Sequence, residues 1–161
     1  MKSSVKSRFI ITVFVNFLRS ALSFATGLII ARNLGPGSYG DYSFLLASFV
    51  AVNKVLEMGT SNAFYTFMSQ KPRSKKFVGS YVAWQFLQFV VPLTIIGLFF
   101  PNTWINLIWL GQQRELILLA FAAVFMQQQA WQTMVQIGES MRLTFRVQIM
   151  NLCLAMAHII L

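Results

Sequence analysis

The sequence predicts an all-α integral membrane protein, a helical bundle of about five transmembrane helices. Three observations carry that expectation. Hydrophobic residues make up 57% of the chain against 11% charged, the apolar residues gather in long runs, and the basic residues fall in the short segments between those runs. A soluble domain carries roughly a quarter charged residues, so this chain, with a mean hydropathy of +0.63, has too little polar surface to cover itself in water. A span takes about 20 mostly apolar residues, because roughly 30 Å of hydrocarbon is crossed at about 1.5 Å per residue. Five segments meet or approach that length: 9–31, 43–67, 77–100, 116–137 and 147–161.

The first segment follows Lys2, Lys6 and Arg8, as the apolar core of a signal peptide would. It is too long for that role, and Asn16 and Arg19 interrupt it, so it reads as an uncleaved first span. Thr12, Asn16, Arg19, Ser20, Ser23 and Gly27 fall within an arc of about 100° on a helix. Such a stripe is expensive against lipid and must face protein or water; a helix–helix seam and a water-filled cavity both fit. Residues 31–42 (ARNLGPGSYGDY) should then turn the chain, since glycine opens backbone angles closed to other residues and proline fixes its own. Two membrane-length helices joined this way form an antiparallel hairpin.

On the second span Asn53, Lys54, Glu57, Thr60 and Ser61 lie within about 120° of one another. Glu57 is three residues from Lys54 and four from Asn53, so each can meet it on the helix surface. Arg19 and Glu57 each lie about 15 Å from the cytoplasmic end of their helices, so an ion pair between them would leave Lys54 as the net positive charge. A pair that only fixes helix register and a pair that serves a ligand are both open. The third span carries Tyr81, Gln85, Gln88 and Pro92 on one face, with Pro92 expected to kink it near Gln88. The fourth carries Gln129, Gln132, Thr133 and Gln136 in one half only. These amides suit either interhelical hydrogen bonds or sugar hydroxyls. Asn151 and His158 share a face of the fifth segment, but two such residues make no metal site. That segment stops after fifteen residues with no cap or flanking charge, so the chain reads as the N-terminal part of a longer protein.

Lysines and arginines set the orientation. Lys2, Lys6, Arg8, Lys71, Arg73, Lys75, Lys76, Arg142 and Arg146 fall on one side and Arg32 and Arg114 on the other, nine against two. The positive-inside rule therefore puts the N-terminus in the cytoplasm, with 31–42 and 101–115 outside. Trp104 and Trp109 suit an aromatic belt or a short interfacial helix, and Cys153 a buried small apolar position. The net charge of +9 does not form one basic surface, which argues against nucleic acid as a partner. One histidine, one cysteine and four scattered acids give no triad, metal cluster or carboxylate pair, and no phosphate loop is present. No enzymatic activity, cofactor or metal is expected.

Residues 27–42 read GLIIARNLGPGSYGDY. This run resembles the "ARxLGPxxYGxY" signature of bacterial polysaccharide-export proteins, the oligosaccharide-lipid flippase branch of the MATE-like (MOP) transporter superfamily, with Arg32, Leu34, Gly35, Pro36, Tyr39 and Gly40 in the signature positions. Glu57-Met58-Gly59 resembles the family's later "xxGxxxA" stretch. Together they cover about forty residues, and the chain resembles the N-terminal part of a MATE-like lobe. The resemblance implies a multi-pass protein of the bacterial cytoplasmic membrane that moves undecaprenyl-diphosphate-linked oligosaccharide in surface polysaccharide biosynthesis, O-antigen included. It implies as partners the bilayer, the polyprenyl-diphosphate-linked oligosaccharide, a polysaccharide polymerase and glycosyltransferases. The substrate-cavity candidates are Asn16, Arg19, Asn53, Lys54, Glu57, Gln85, Gln88, Gln132 and Gln136. Two other readings stay open: a cation-coupled drug or solute antiporter of the same superfamily, with Glu57 as its ion site, and a non-transporting fragment.

Overall fold

The computed structural model describes residues 5–71 and 73–160. Lys2, Leu161 and the side chains of Arg8 and His158, which enter the expectations above, lie outside the described residues. Those described are all-helical, with no strand. In order the helices are α1 (Val5–Glu57), α2 (Thr60–Gln70), α3 (Lys75–Thr94), α4 (Asn102–Ile108), α5 (Arg114–Phe125), α6 (Gln132–Ser140) and α7 (Thr144–Ile160). Wide, π-type turns at Ile95–Phe99 and Met126–Trp131 extend α3 and join α5 to α6.

The expected connector at 31–42 is helical on both sides of a single break. Gly35 alone leaves helical geometry, at φ 76° and ψ 168°, a conformation that a Cβ makes costly. Pro36 follows at once and restarts the helix, since its fixed φ suits a first helical position and its missing N–H is not needed there. The second predicted span is also not one helix, because α1 stops at Glu57 and α2 starts at Thr60. Pro92 is accommodated inside α3, whose hydrogen bonding widens three residues later.

Two helices are long and apolar enough to cross a membrane, Phe9–Glu57 and Lys75–Phe99. Only 6% and 22% of their apolar windows are buried within the molecule, so neither is a core helix of the kind that fills a soluble domain. Phe9, Phe14, Phe17 and Phe24 stand exposed on the first, as do Phe86, Leu98 and Phe99 on the second. An exposed apolar surface of this extent marks a contact with protein or with membrane.

The chain divides into two compact units. One is Gly40–Gln136, whose core is Leu45, Phe49, Ile96, Ile105, Trp109, Ile117, Phe121, Val124 and Phe125. Phe121 meets Phe49 edge-on at 5.5 Å between ring centroids and stacks on Phe89 at 5.8 Å. Trp109 caps the short helix α4. It is buried, stacked on Phe49 at 5.6 Å, and its Nε1 donates to Ser48 Oγ at 3.1 Å, because the left-handed residues Leu110 and Gly111 close α4 back over the core. Trp104, one helical turn earlier, is exposed. Arg114, counted from sequence as a topological charge, holds the end of the third span: its guanidinium donates to the carbonyls of Gly97 and Phe100 at 2.6 and 2.7 Å and to Asn102 Oδ1 at 2.7 Å.

The other unit joins the chain through Tyr39 to the stretch from Ile137. There α6 and α7 meet so closely at Gly138 that a Cβ would collide with the Val147 side chain. Val147 is stiff at χ1 and cannot swing aside, so only glycine fits. Cys153 is exposed, on the outward side of α7, and not the buried position expected of it.

Candidate functional site: a polar cavity at a helix break

The break between α1 and α2 organises the site. Met58 (φ 48°) and Gly59 (φ 75°, ψ 6°) both take left-handed angles. Gly59 reaches them freely, whereas Met58 pays roughly 1–2 kcal/mol for its Cβ. In an unbroken helix the carbonyls of Leu56 and Glu57 would accept from N–H groups four residues on; the break leaves them orphaned. Two side chains replace the missing donors. Gln88 Nε2 donates to the Leu56 carbonyl, and Thr60 Oγ1 donates to the Glu57 carbonyl at 2.7 Å.

Further amides tie the neighbouring helices together. Gln85 Nε2 donates to Thr133 Oγ1 at 2.6 Å and to the Gln129 carbonyl at 3.3 Å, and Thr133 Oγ1 donates to that same carbonyl at 2.9 Å. Gln136 Nε2 donates to Ser61 Oγ, in the first turn of α2, at 2.7 Å. Of the two roles that the sequence left open for these amides, Gln85 and Gln88 therefore take the interhelical one.

Beside the break opens a cavity of about 460 Å³ lined by Lys54, Glu57, Gly59, Ser61, Asn62, Gln128, Gln132 and Gln136. Lys54 Nζ lies 3.2 Å from Glu57 Oε2. The pair is asymmetric, with 68% of the Lys54 side chain exposed against 11% of Glu57. Glu57 is thus held at the inner wall while the ammonium keeps most of its surface open to the cavity mouth. As a cation in the last turn of α1, Lys54 also complements the negative end of that helix. Gln136 Oε1 is buried without a partner in this wall, an acceptor left unfilled where a hydroxyl could donate. The cavity thus offers amide groups that both donate and accept, one hydroxyl, and a charge pair that is neutral overall.

Of the residues proposed from sequence, Lys54, Glu57, Gln132 and Gln136 come together here. Gln85 and Gln88 are buried behind them in helix-to-helix bonds. Asn53 is fully buried, with neither amide atom partnered, and is not part of the lining. Asn16 is exposed and Arg19 half-buried, both in the other unit. Glu57 pairs with Lys54, three residues back on its own helix, as their spacing allows. Gly59, Asn62 and Gln128 line the cavity but were passed over in sequence. The available signal was Gly59, a glycine inside an apolar run, which marks a break more often than a helix interior. The signature positions Arg32, Leu34, Pro36 and Gly40 are exposed, and Gly35 and Tyr39 half-exposed.

No family model matches the chain, and neither a curated protein nor a solved structure matches it.

Proposed function

We propose that the chain is part of a multi-pass transporter of the bacterial cytoplasmic membrane, N-terminus inside, that moves undecaprenyl-diphosphate-linked oligosaccharide in surface polysaccharide biosynthesis. The observation that carries this reading is the polar cavity at the interruption of an otherwise apolar helix. Backbone departs from helix at membrane depth only where it lines a cavity or is buried in protein, and discontinuous helices of this kind form the substrate sites of many transporters. The motif resemblance at residues 27–42 supports the substrate class. In this reading the amides of Gln128, Gln132, Gln136 and Asn62 would take sugar hydroxyls, and Lys54, exposed at the mouth, would meet the diphosphate.

Glu57 favours a second reading, a cation-coupled antiporter, because a buried carboxylate at the end of a half-helix is a natural ion site. Surface-polysaccharide export separates the two. In cells lacking the chromosomal copy, Gln132→Leu should insert at the wild-type level and restore little surface polysaccharide, because the leucine removes an amide from the cavity without burdening the core. Full restoration by Gln132→Leu, or export unaffected by loss of the gene alongside ion-driven solute efflux, would favour the antiporter.

A further inference from the structure

A second concavity lies between α2 and α3, running from Thr60 beside the break toward the α2–α3 loop. Its volume is about 340 Å³ and its walls are aromatic: Phe64, Phe67, Phe77, Tyr81 and Trp84. Phe64 stacks on Tyr81 at 4.0 Å and on Phe77 at 5.8 Å, which makes a smooth apolar slot. At the loop end sits Arg73. Its Nε donates to the Phe67 carbonyl at 3.0 Å, and its guanidinium carbon lies 5.3 and 5.6 Å from the Phe67 and Phe77 ring centroids. This grip fixes the guanidinium plane at the slot's end and leaves its Nη donors without a protein partner among the described residues.

Charge is concentrated at the same end. Lys71, Lys75 and Lys76 are exposed around Arg73. The chain's four acids are Asp41, Glu57, Glu115 and Glu139, so none lies in α2, the loop or α3. Among the described residues the ion pair formed is Lys54–Glu57, and none of these four cations has a carboxylate partner. Lys75 and Lys76 also stand in the first turn of α3, where the helix dipole opposes cations and favours an anion.

An apolar slot ending in an unneutralised basic cluster fits an anionic amphiphile. We propose that the α2–α3 groove binds an anionic phospholipid, with one acyl chain against Phe64, Phe77 and Trp84 and the headgroup phosphate held by Arg73, Lys75 and Lys76. A guanidinium suits this task because its planar fork can give two parallel hydrogen bonds to phosphate oxygens while its face stays on the rings. The proposal is independent of what occupies the cavity at the helix break.

The test uses the full chain in lipid nanodiscs, with Trp104, Trp109 and Trp131 replaced by Phe so that Trp84 alone reports. Bromine on the acyl chain quenches a tryptophan in contact with it. Half-quenching of Trp84 should need about tenfold less brominated phosphatidylglycerol than brominated phosphatidylcholine, given the attraction typical of basic residues at an anionic membrane surface. R73Q/K75Q/K76Q should abolish that difference, whereas R142Q/R146Q should keep it. Equal quenching by the two lipids, a preference that survives R73Q/K75Q/K76Q, or one lost equally in R142Q/R146Q would overturn the proposal. Should the tryptophan variant fail to fold, native mass spectrometry of the chain with all four tryptophans decides. Phosphatidylglycerol retained in excess of phosphatidylcholine, and lost on R73Q/K75Q/K76Q alone, supports the site; no such excess overturns it.

Discussion

Phe121→Ala should be the most damaging single substitution in the Gly40–Gln136 unit, costing about 3–5 kcal/mol. Phe121 is fully buried and its ring touches those of Phe49, Phe89 and Phe125. Its removal opens a void between helices that are far apart in sequence and cannot all collapse into it. The expectation survives placement in lipid. There the transfer of apolar surface from water contributes little between helices, but close packing is what holds them together, and packing is what the alanine removes. Unfolding of the detergent-solubilised chain by increasing mole fraction of dodecyl sulfate, followed by circular dichroism, measures the difference. A loss below about 1 kcal/mol would mean that the aromatic cluster is not close-packed.

Lys54→Gln should destabilise more than Glu57→Gln, although both break the same ion pair. Without Lys54, the Glu57 carboxylate remains at an inner wall with 11% of its side chain exposed and no cation beside it, at a cost of about 1–3 kcal/mol. Without Glu57, the ammonium is still 68% exposed and water solvates it, so the loss should stay below about 1 kcal/mol. The double substitution should lie nearer Glu57→Gln, because it leaves no stranded charge. The same dodecyl sulfate titration of the three variants checks the order. Equal losses in the two single variants would show that Glu57 is solvated as freely as Lys54.

The helical character of the chain was legible in sequence because it follows from hydropathy summed over many residues. What escaped were features decided by one or two residues. Leu34-Gly35-Pro36-Gly37 reads as a loop, yet Gly35 alone absorbs the break and Pro36 reopens the helix, since proline is as good a first helical residue as it is a poor interior one. The break at Met58–Gly59 was hidden because hydropathy continues across it and methionine gives no warning of a left-handed angle. With the break unseen, Gln88 looked like a cavity residue when its amide is spent on a carbonyl the break exposes. Of the nine residues proposed, Lys54, Glu57, Gln132 and Gln136 line one cavity, each pair sharing a helix face, a property spacing does encode. Asn62 falls off its face and reaches the cavity after the bend at Gly59, whereas Gln128, four residues before Gln132 and on the same side, was within reach of the same spacing argument.

The central claim is that the cavity beside the break takes the oligosaccharide. Ser61→Cys in a Cys153→Ala background, a near-isosteric change in the cavity wall, labelled with a small polar thiol reagent in membranes, tests it directly. Labelling should be several-fold slower in membranes loaded with lipid-linked oligosaccharide than in membranes from cells unable to make it, while a control cysteine at Asn106 labels equally in both. Equal labelling of the Ser61 cysteine with and without the lipid-linked sugar, in a protein that still exports, would place the substrate elsewhere and contradict the account.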